Sequence, residues 1–464
     1  MDGIQLHGKK VTVIGAARSG LGVSRLLRSN GAFPFVSEKQ AASKLGNNVA
    51  SLEKERIALE TGGHTDRVFD CSLMVLSPGV PGDTPVVLEA KKRGINVVSE
   101  LEVASWFCRA PIVAITGSNG KTTTTTLTGR IFGDAKKKHV VAGNIGEAFS
   151  NFVLDVAETD VVILEVSSFQ LDFIEAFRPK VSIILNITRN HMDRYEHSME
   201  KYAASKARIF MNQADDDVLI YNADDEFTQL KVKSAKCKKL PFSTSREVSE
   251  GAFVRDGIVR TIVAGKNSDI IEASQISIKG EHNLQNAMAA TLAAEVMGVG
   301  SAIIRSTLRN FKGVEHRQEF VREVNGIKYV NDSKATTVEA VSRALGAYAE
   351  PIVLILGGKD KGNDYSQMFE LVKKKVRAIV ATGASAEIIV NNFKPIVPVE
   401  RVDTIGNEIP NIHSMEKTIL AATSLAHKGD VVLLSPACTS FDWFTDYEER
   451  GKVFKSIVTS LEAR

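Results

Sequence analysis

Cysteine is scarce in this chain. Its 464 residues hold four, Cys71, Cys108, Cys237 and Cys438, and no two of them form a CxxC pair. That argues against a disulfide scaffold and against paired-cysteine zinc or thioredoxin-like sites, and it suits a reducing compartment. An excess of one charge is also missing. The 58 Lys and Arg against 55 Asp and Glu leave a net +3, too near neutral to argue for nucleic acid or an acidic membrane as partner. No apolar run approaches the roughly 18 residues of a membrane-spanning helix. The opening residues, MDGIQLHGKKVTVIGAARSG, contain no apolar signal-peptide core, so no leader and a cytoplasmic location are expected. Low-complexity tracts and fixed-period repeats are absent as well.

What is present is a regular alternation. Short β-branched runs recur at Val11–Ile14, Ile112–Ile115, Val161–Leu164, Ser182–Ile187, Ile352–Leu356 and Val431–Leu434. They lack period-two patterning, as parallel strands buried on both faces do. Helical patterns such as Thr122–Phe132 and Leu284–Met297 lie between them. Strand–helix alternation over this length reads as an α/β fold with largely parallel sheets. Three polar strand ends, Gly15–Gly20, Gly117–Gly120 and Gly357–Gly362, mark three units. Boundaries near residues 100 and 313 give expected domains of 1–100, 101–313 and 314–464.

The most informative segment is Thr116-Gly117-Ser118-Asn119-Gly120-Lys121-Thr122-Thr123, between a buried strand and a helix pattern. Glycines let the backbone turn sharply and aim N–H groups at an anion, and the helix N-terminus adds positive potential. Lys121 can reach the β- and γ-phosphates, and the Thr122 hydroxyl can ligate Mg²⁺. Only two residues separate Gly117 from Gly120, so the loop is shorter than GxxxxGK[ST]. Gly117, Ser118, Asn119, Gly120, Lys121, Thr122 and Thr123 are therefore the expected phosphate-binding residues of an ATP site. Glu165 ends a neighbouring strand, where an acidic residue commonly holds Mg²⁺, although a helix-capping role is open to it. His191 and Asp193 follow a third strand, at the edge where α/β folds bind ligands.

Near the N-terminus, Gly15-Ala16-Ala17-Arg18-Ser19-Gly20 follows a strand, and Glu38 follows the next one. This approaches the GxGxxG dinucleotide fingerprint, but Ala17 stands where the middle glycine would be. From these residues alone, NAD or another diphosphate ligand is possible.

Taken together, GSNGKTT, EVSSFQLD, NHMDRY with SKARIF, GEHNLQNAMAA, EHR, NDSKATT, LGGKDKG and LSPACTSFDWF resemble the Mur ligases. The motifs run in order from about residue 15 to residue 450. NDSKATT and LSPACTSFD resemble the branch that adds D-glutamate. The resemblance implies a Rossmann-like N-terminal domain for UDP, a P-loop ATPase-type central domain and a Rossmann-like C-terminal domain. It implies ATP-dependent amide-bond formation between UDP-N-acetylmuramoyl-L-alanine and D-glutamate through an acyl phosphate, in bacterial peptidoglycan precursor synthesis. A monomer is expected.

The resemblance also assigns residues. Thr122 and Glu165 would hold one Mg²⁺, and His191 with a carbamylated Lys206 a second. Lys121, His191, Lys206 and Lys334 are the implied catalytic set. Asn283, Asn286, His316, Arg317 and Asp332 would contact the nucleotide. Gly15, Arg18, Ser19, Gly20, Ser37, Glu38, Lys39, Gly79 and Asn144 would hold the UDP substrate. Thr336, Lys361, Ser440, Phe441 and Tyr447 would hold D-glutamate. Two positions depart from the family pattern: Asn190 where an acidic residue is common, and Thr337 where Asn is common. Another Mur-type or folylpolyglutamate-type ligase, or a P-loop NTPase without ligase activity, remains the alternative.

Overall fold

A computed structural model describes residues 6–190 and 192–462. His191 lies outside the described residues, and of Asp193 only the backbone is described. The chain divides into two compact units, Met1–Ile276 with Glu281–Phe311 and Ser277–Gly280 with Lys312–Arg464. No helix among the described residues is long and apolar enough to cross a membrane.

The first unit contains two sheets. Strands β1 (Lys10–Ile14), β2 (Phe33–Glu38), β3 (Ala58–Thr61), β4 (Leu73–Leu76) and β5 (Asn96–Ser99) form an all-parallel sheet in the order β3-β2-β1-β4-β5. The order reverses at β1, and ligands of such sheets bind at the strand carboxyl ends beside that reversal. The turn Gly15–Gly20 occupies this position.

The second sheet comprises β6 (Ile112–Thr116), β7 (His139–Gly143), β8 (Val161–Glu165), β9 (Val181–Ile184), β10 (Val218–Asn222), β11 (Lys238–Ser243), β12 (Gly251–Arg255), β13 (Ile258–Val263) and β14 (Lys266–Glu272). Their order is β14-β13-β12-β11-β10-β9-β6-β8-β7. Strands β6, β8 and β9 are buried along their whole length, which is why their sequences are continuously apolar. Strands β12 to β14 are antiparallel, a departure from the expected strand–helix alternation. Their two-residue turns, Asp256-Gly257 and Ala264-Gly265, all take positive φ, the conformation of a type I′ hairpin.

The second unit has one sheet. Its strands are β15 (Glu319–Val324), β16 (Ile327–Asn331), β17 (Ile352–Gly357), β18 (Val376–Thr382), β19 (Val399–Val402) and β20 (Val431–Leu434), in the order β15-β16-β20-β17-β18-β19. Only β15 is antiparallel to its neighbour. Helices cover both faces, and the two apolar layers they enclose contain Leu354 and Leu433 on one side and Ile355 and Val432 on the other.

A buried carboxylate ties the two sheets of the first unit together. Glu102 lies on the helix Glu100–Ser105 and is fully buried. It accepts the backbone N–H groups of Glu175, Ala176 and Phe177 at 2.9, 2.8 and 2.9 Å, and the Trp106 indole at 2.7 Å. Removing an acceptor while its donors stay buried costs about 1–3 kcal/mol for each unsatisfied group. Glu102→Ala is therefore expected to lower unfolding free energy by roughly 3 kcal/mol or more, measured by denaturant titration. Glu102→Gln, which keeps one acceptor oxygen, should lose less.

Candidate functional site

The expected phosphate loop is built from the end of β6. Gly117 has φ +158° and Gly120 has φ +82°, so each takes a conformation that side-chain-bearing residues rarely adopt. Gly120 precedes the helix Lys121–Asp134. A Cβ there would lie 2.2 Å from Asn286 Oδ1, so Asn286 packs directly against the loop. Asn286 also donates to Asn283 Oδ1 at 3.2 Å. Asn283 is the third residue of the helix Glu281–Val296 and not its cap.

A second segment brackets the loop. The strand expected over 182–187 stops at Ile184, because the residues after it turn to hold the loop. Ser118 N–H donates to the Asn186 carbonyl, and Asn119 N–H to Asn186 Oδ1, both at 2.9 Å. The Ser118 hydroxyl donates to the Thr188 carbonyl and accepts from Thr188 N–H, again at 2.9 Å. These bonds fix the loop backbone and engage the N–H groups of Ser118 and Asn119.

Two lysines meet beneath the loop. Lys121 Nζ and Lys206 Nζ each donate to the Gly117 carbonyl at 2.9 Å. Lys206 lies on the helix Met199–Ala207, is 1% exposed, and sits over the Tyr202 ring at 4.6 Å. Burial, then the positive charge of Lys121, holds its amine well below the usual lysine range, with Asp172 opposing. Asp172 accepts from the Tyr195 hydroxyl at 2.9 Å, which also lies 3.2 Å from the Ser205 hydroxyl.

Glu165 ends β8 and is buried. One carboxylate oxygen accepts from Asn144 Nδ2 at 2.8 Å, while Oε2 has no hydrogen-bond partner. Ser167 caps the following helix, so Glu165 does not. A buried carboxylate oxygen without a partner is costly unless a cation completes it, and carboxylate with hydroxyl oxygen suits Mg²⁺. These residues therefore fit a divalent cation. Among the described residues, no group of three or more His, Cys, Asp or Glu is arranged as a metal site. The expected set relies instead on Thr122, Glu165, Lys206 and the undescribed His191. Asn144, expected with the UDP substrate, has its side chain on Glu165.

At the N-terminal turn, Gly15 has φ +100°. A Cβ on Gly20 would lie 1.9 Å from the Gly15 carbonyl oxygen, so this close turn needs glycine. Glu38 accepts from Ala16 N–H at 2.9 Å and so braces the turn. Ser19 is the second residue of the helix Arg18–Ser29. Arg18 is exposed and donates to the Gly146 carbonyl. Exposed Lys39 follows Glu38, and the Gly79 carbonyl accepts from Arg194 at 3.1 Å. The Ser37 hydroxyl is already engaged, by Glu60 and His64.

The second unit gathers its own set. Asp332 is buried, accepts from the Ser435 hydroxyl at 2.8 Å and from Gln318 N–H at 3.2 Å, and is pushed up to about 7 by burial. His316 is buried with φ +63°, and its Nδ1 lies 2.9 Å from Asn331 Nδ2. A Cβ on Gly451 would lie 2.1 Å from His316 Nδ1. Arg317 follows in the same turn, and Lys334 Nζ lies 5.2 Å from the centre of the Tyr447 ring. Thr336 is half-buried and Lys361 exposed, and Ser440 is buried beside Phe441, which is 61% exposed. Thr337 caps the helix Val338–Gly346.

Sequence reasoning missed Arg450. It is buried, donates to the Ser333 hydroxyl at 2.9 Å and carbonyl at 2.8 Å, and to the Cys438 carbonyl at 3.2 Å. It thereby joins NDSKATT to LSPACTS. Burial lowers its guanidinium to about 10, still cationic at neutral pH. In sequence it is one basic residue in a charged helix, with no local signal.

Comparison with known proteins accords with this geometry. The MurD N-terminal domain model matches residues 10–86, the Mur ligase middle domain 115–294, and the Mur ligase glutamate ligase domain 316–438. The UDP-N-acetylmuramoylalanine--D-glutamate ligase of Salinibacter ruber is 46% identical, covering 98% of this chain and 99% of its own. Its namesake in Pelotomaculum thermopropionicum is 43% identical, covering 98% of each. The fold is shared with the UDP-N-acetylmuramate-alanine ligase of Thermotoga maritima, with a TM-score of 0.59 and 19% identity over 97% of this chain and 99% of that one. From its three matched domains and its full-length relatives, the chain belongs to the Mur ligase family.

Proposed function

We propose that this protein joins D-glutamate to UDP-N-acetylmuramoyl-L-alanine with the hydrolysis energy of ATP, in peptidoglycan precursor synthesis. Relatives that carry that name cover nearly the whole chain. The observation that carries the chemical part is the buried Lys206 at the Gly117 carbonyl, directly under the phosphate loop.

In this reading residues 1–100 bind the UDP moiety, 101–313 the ATP, and 314–464 the amino acid. Gly117–Thr123 hold the phosphates, and Lys121 turns from the loop carbonyls to the γ-phosphate. A carboxylate oxygen of the alanyl substrate attacks the γ-phosphorus, and ADP leaves. The amine of D-glutamate then attacks the acyl carbon. Inorganic phosphate departs, and the amine loses its proton as the amide forms. Phosphorylation is needed because a free carboxylate is a poor acyl donor. Asn283, Asn286, His316, Arg317 and Asp332 contact the nucleotide, and Lys334 the transferring phosphoryl group. Thr336, Lys361, Ser440, Phe441 and Tyr447 surround D-glutamate.

Thr122 and Glu165 would hold one Mg²⁺, and His191 with Lys206 a second. When bound, Mg²⁺ offsets the repulsion between substrate carboxylate and γ-phosphate. An ammonium is a poor neighbour for a cation, whereas a lysine carbamate offers anionic oxygen. A buried amine with a depressed pKa is uncharged for more of the time, the form that adds CO₂. These features support carbamylation of Lys206.

Phosphate release from ATP with UDP-N-acetylmuramoyl-L-alanine and a panel of D- and L-amino acids tests the reading. D-glutamate alone should stimulate it, and release independent of any acceptor would sink it. Lys206→Ala should lower kcat by about 10²–10³-fold, with partial rescue by small carboxylates, and full activity in that variant removes the carbamate. Partners that orient a metal ligand typically contribute about 10–100-fold to metal affinity. Asn144→Ala should thus raise the Mg²⁺ needed for half-maximal activity by about tenfold. A change confined to the KM of the UDP substrate would return Asn144 to the substrate pocket.

A further inference from the structure

The carboxyl ends of β2 and β3 carry a hydrogen-bond chain with a defined direction. The Ser37 hydroxyl, fully buried, lies 2.6 Å from Glu60 Oε1 and 2.7 Å from His64 Nδ1. Glu60 also accepts from Thr65 N–H at 3.1 Å and from the Thr65 hydroxyl at 2.7 Å. Burial opposes ionisation of Glu60, but the bonds from Ser37 and Thr65 prevail and hold its carboxyl below the usual range. An ionised carboxylate only accepts hydrogen bonds. The single Ser37 hydrogen therefore goes to Glu60, and the Ser37 oxygen accepts from His64. That places the imidazole hydrogen on Nδ1 and leaves Nε2 with its lone pair.

The histidine is also held in place and held neutral. Gly62 at φ +84° and Gly63 at φ +149° turn the chain back toward β2. Gly62 N–H donates to the Gln40 carbonyl at 2.9 Å and Gly63 N–H to the Glu38 carbonyl at 3.3 Å. Burial lowers the pKa of His64, against the nearby charges of Glu60 and Glu38 and with that of Lys39. Among the described residues, its hydrogen bonding is confined to Nδ1. Ser37 pairs with Ile14 at the end of β1, and its carbonyl accepts from Gly15 N–H at 2.9 Å. His64 thus stands at the strand ends beside the glycine turn.

We propose that His64 is a base-reading residue of the nucleotide pocket, its Nε2 accepting the imide N3–H of uracil. The proposal rests on the assignment of a uridine nucleotide to this sheet. Cytosine presents a lone pair at N3, so two acceptors would face each other and the base would be disfavoured. Ser37 acts through His64 as a positioning residue and does not itself touch the base.

Calorimetric titration of the full chain with UDP and with CDP tests this. Wild type should prefer UDP, and His64→Leu should lose about five- to tenfold of that preference, the worth of one hydrogen bond. His64→Gln, which restores an acceptor, should recover part of it. Long-range ¹H–¹⁵N correlation spectra should show the hydrogen of wild-type His64 on Nδ1, and Ser37→Ala should shift it toward the other tautomer. An unchanged UDP/CDP ratio in folded His64→Leu, or a wild-type hydrogen on Nε2, overturns the assignment. Wild type that binds neither nucleotide overturns the uridine reading beneath it.

Discussion

At the end of β6 one backbone carbonyl, that of Gly117, accepts from two lysines. Much of the first unit is arranged around that meeting. Gly117 takes φ +158°, and its carbonyl is turned to the two lysines while the next two N–H groups are held by Asn186. Two cations cannot both stay charged at one oxygen inside a protein without a large cost. Burial and the neighbouring Lys121 charge hold the Lys206 amine well below the usual lysine range, while Lys121 is only half-buried.

The second unit uses a related device with a different cation. Arg450 is buried below the ends of β16 and β20 and draws in the carbonyls of Ser333 and Cys438. A guanidinium spreads its charge over five donors and keeps it even when burial lowers its pKa. It can therefore serve as a permanent brace, whereas the amine of Lys206 can change state. In both units buried side-chain nitrogens draw backbone carbonyls together.

Much of this was legible along the chain. The phosphate loop announced itself because its glycines, lysine and threonines are contiguous and follow a wholly apolar strand. Glu165 was legible for the same reason, as a charge at the end of such a strand. The hairpins of β12 to β14 carry only a local turn signal, Asp256-Gly257, within a chain whose dominant pattern is strand–helix alternation. Asn186 and Thr188 gave no signal of their bracketing role. Their partners, Ser118 and Asn119, lie some 70 positions away, and no local pattern encodes such a bond.

By itself, the order of residues determined the parallel α/β class, the glycine turn after β6 and the family, because these rest on short contiguous patterns of burial and backbone freedom. Tertiary structure alone decided which groups share a proton, a carbonyl or a buried oxygen. It set Lys206 beside Lys121 at one carbonyl, put the Asn144 side chain on Glu165, and placed the Ser37 hydroxyl between Glu60 and His64. The physical reason is that hydrogen bonds and desolvation act over a few ångströms in space, at whatever separation the chain imposes in sequence.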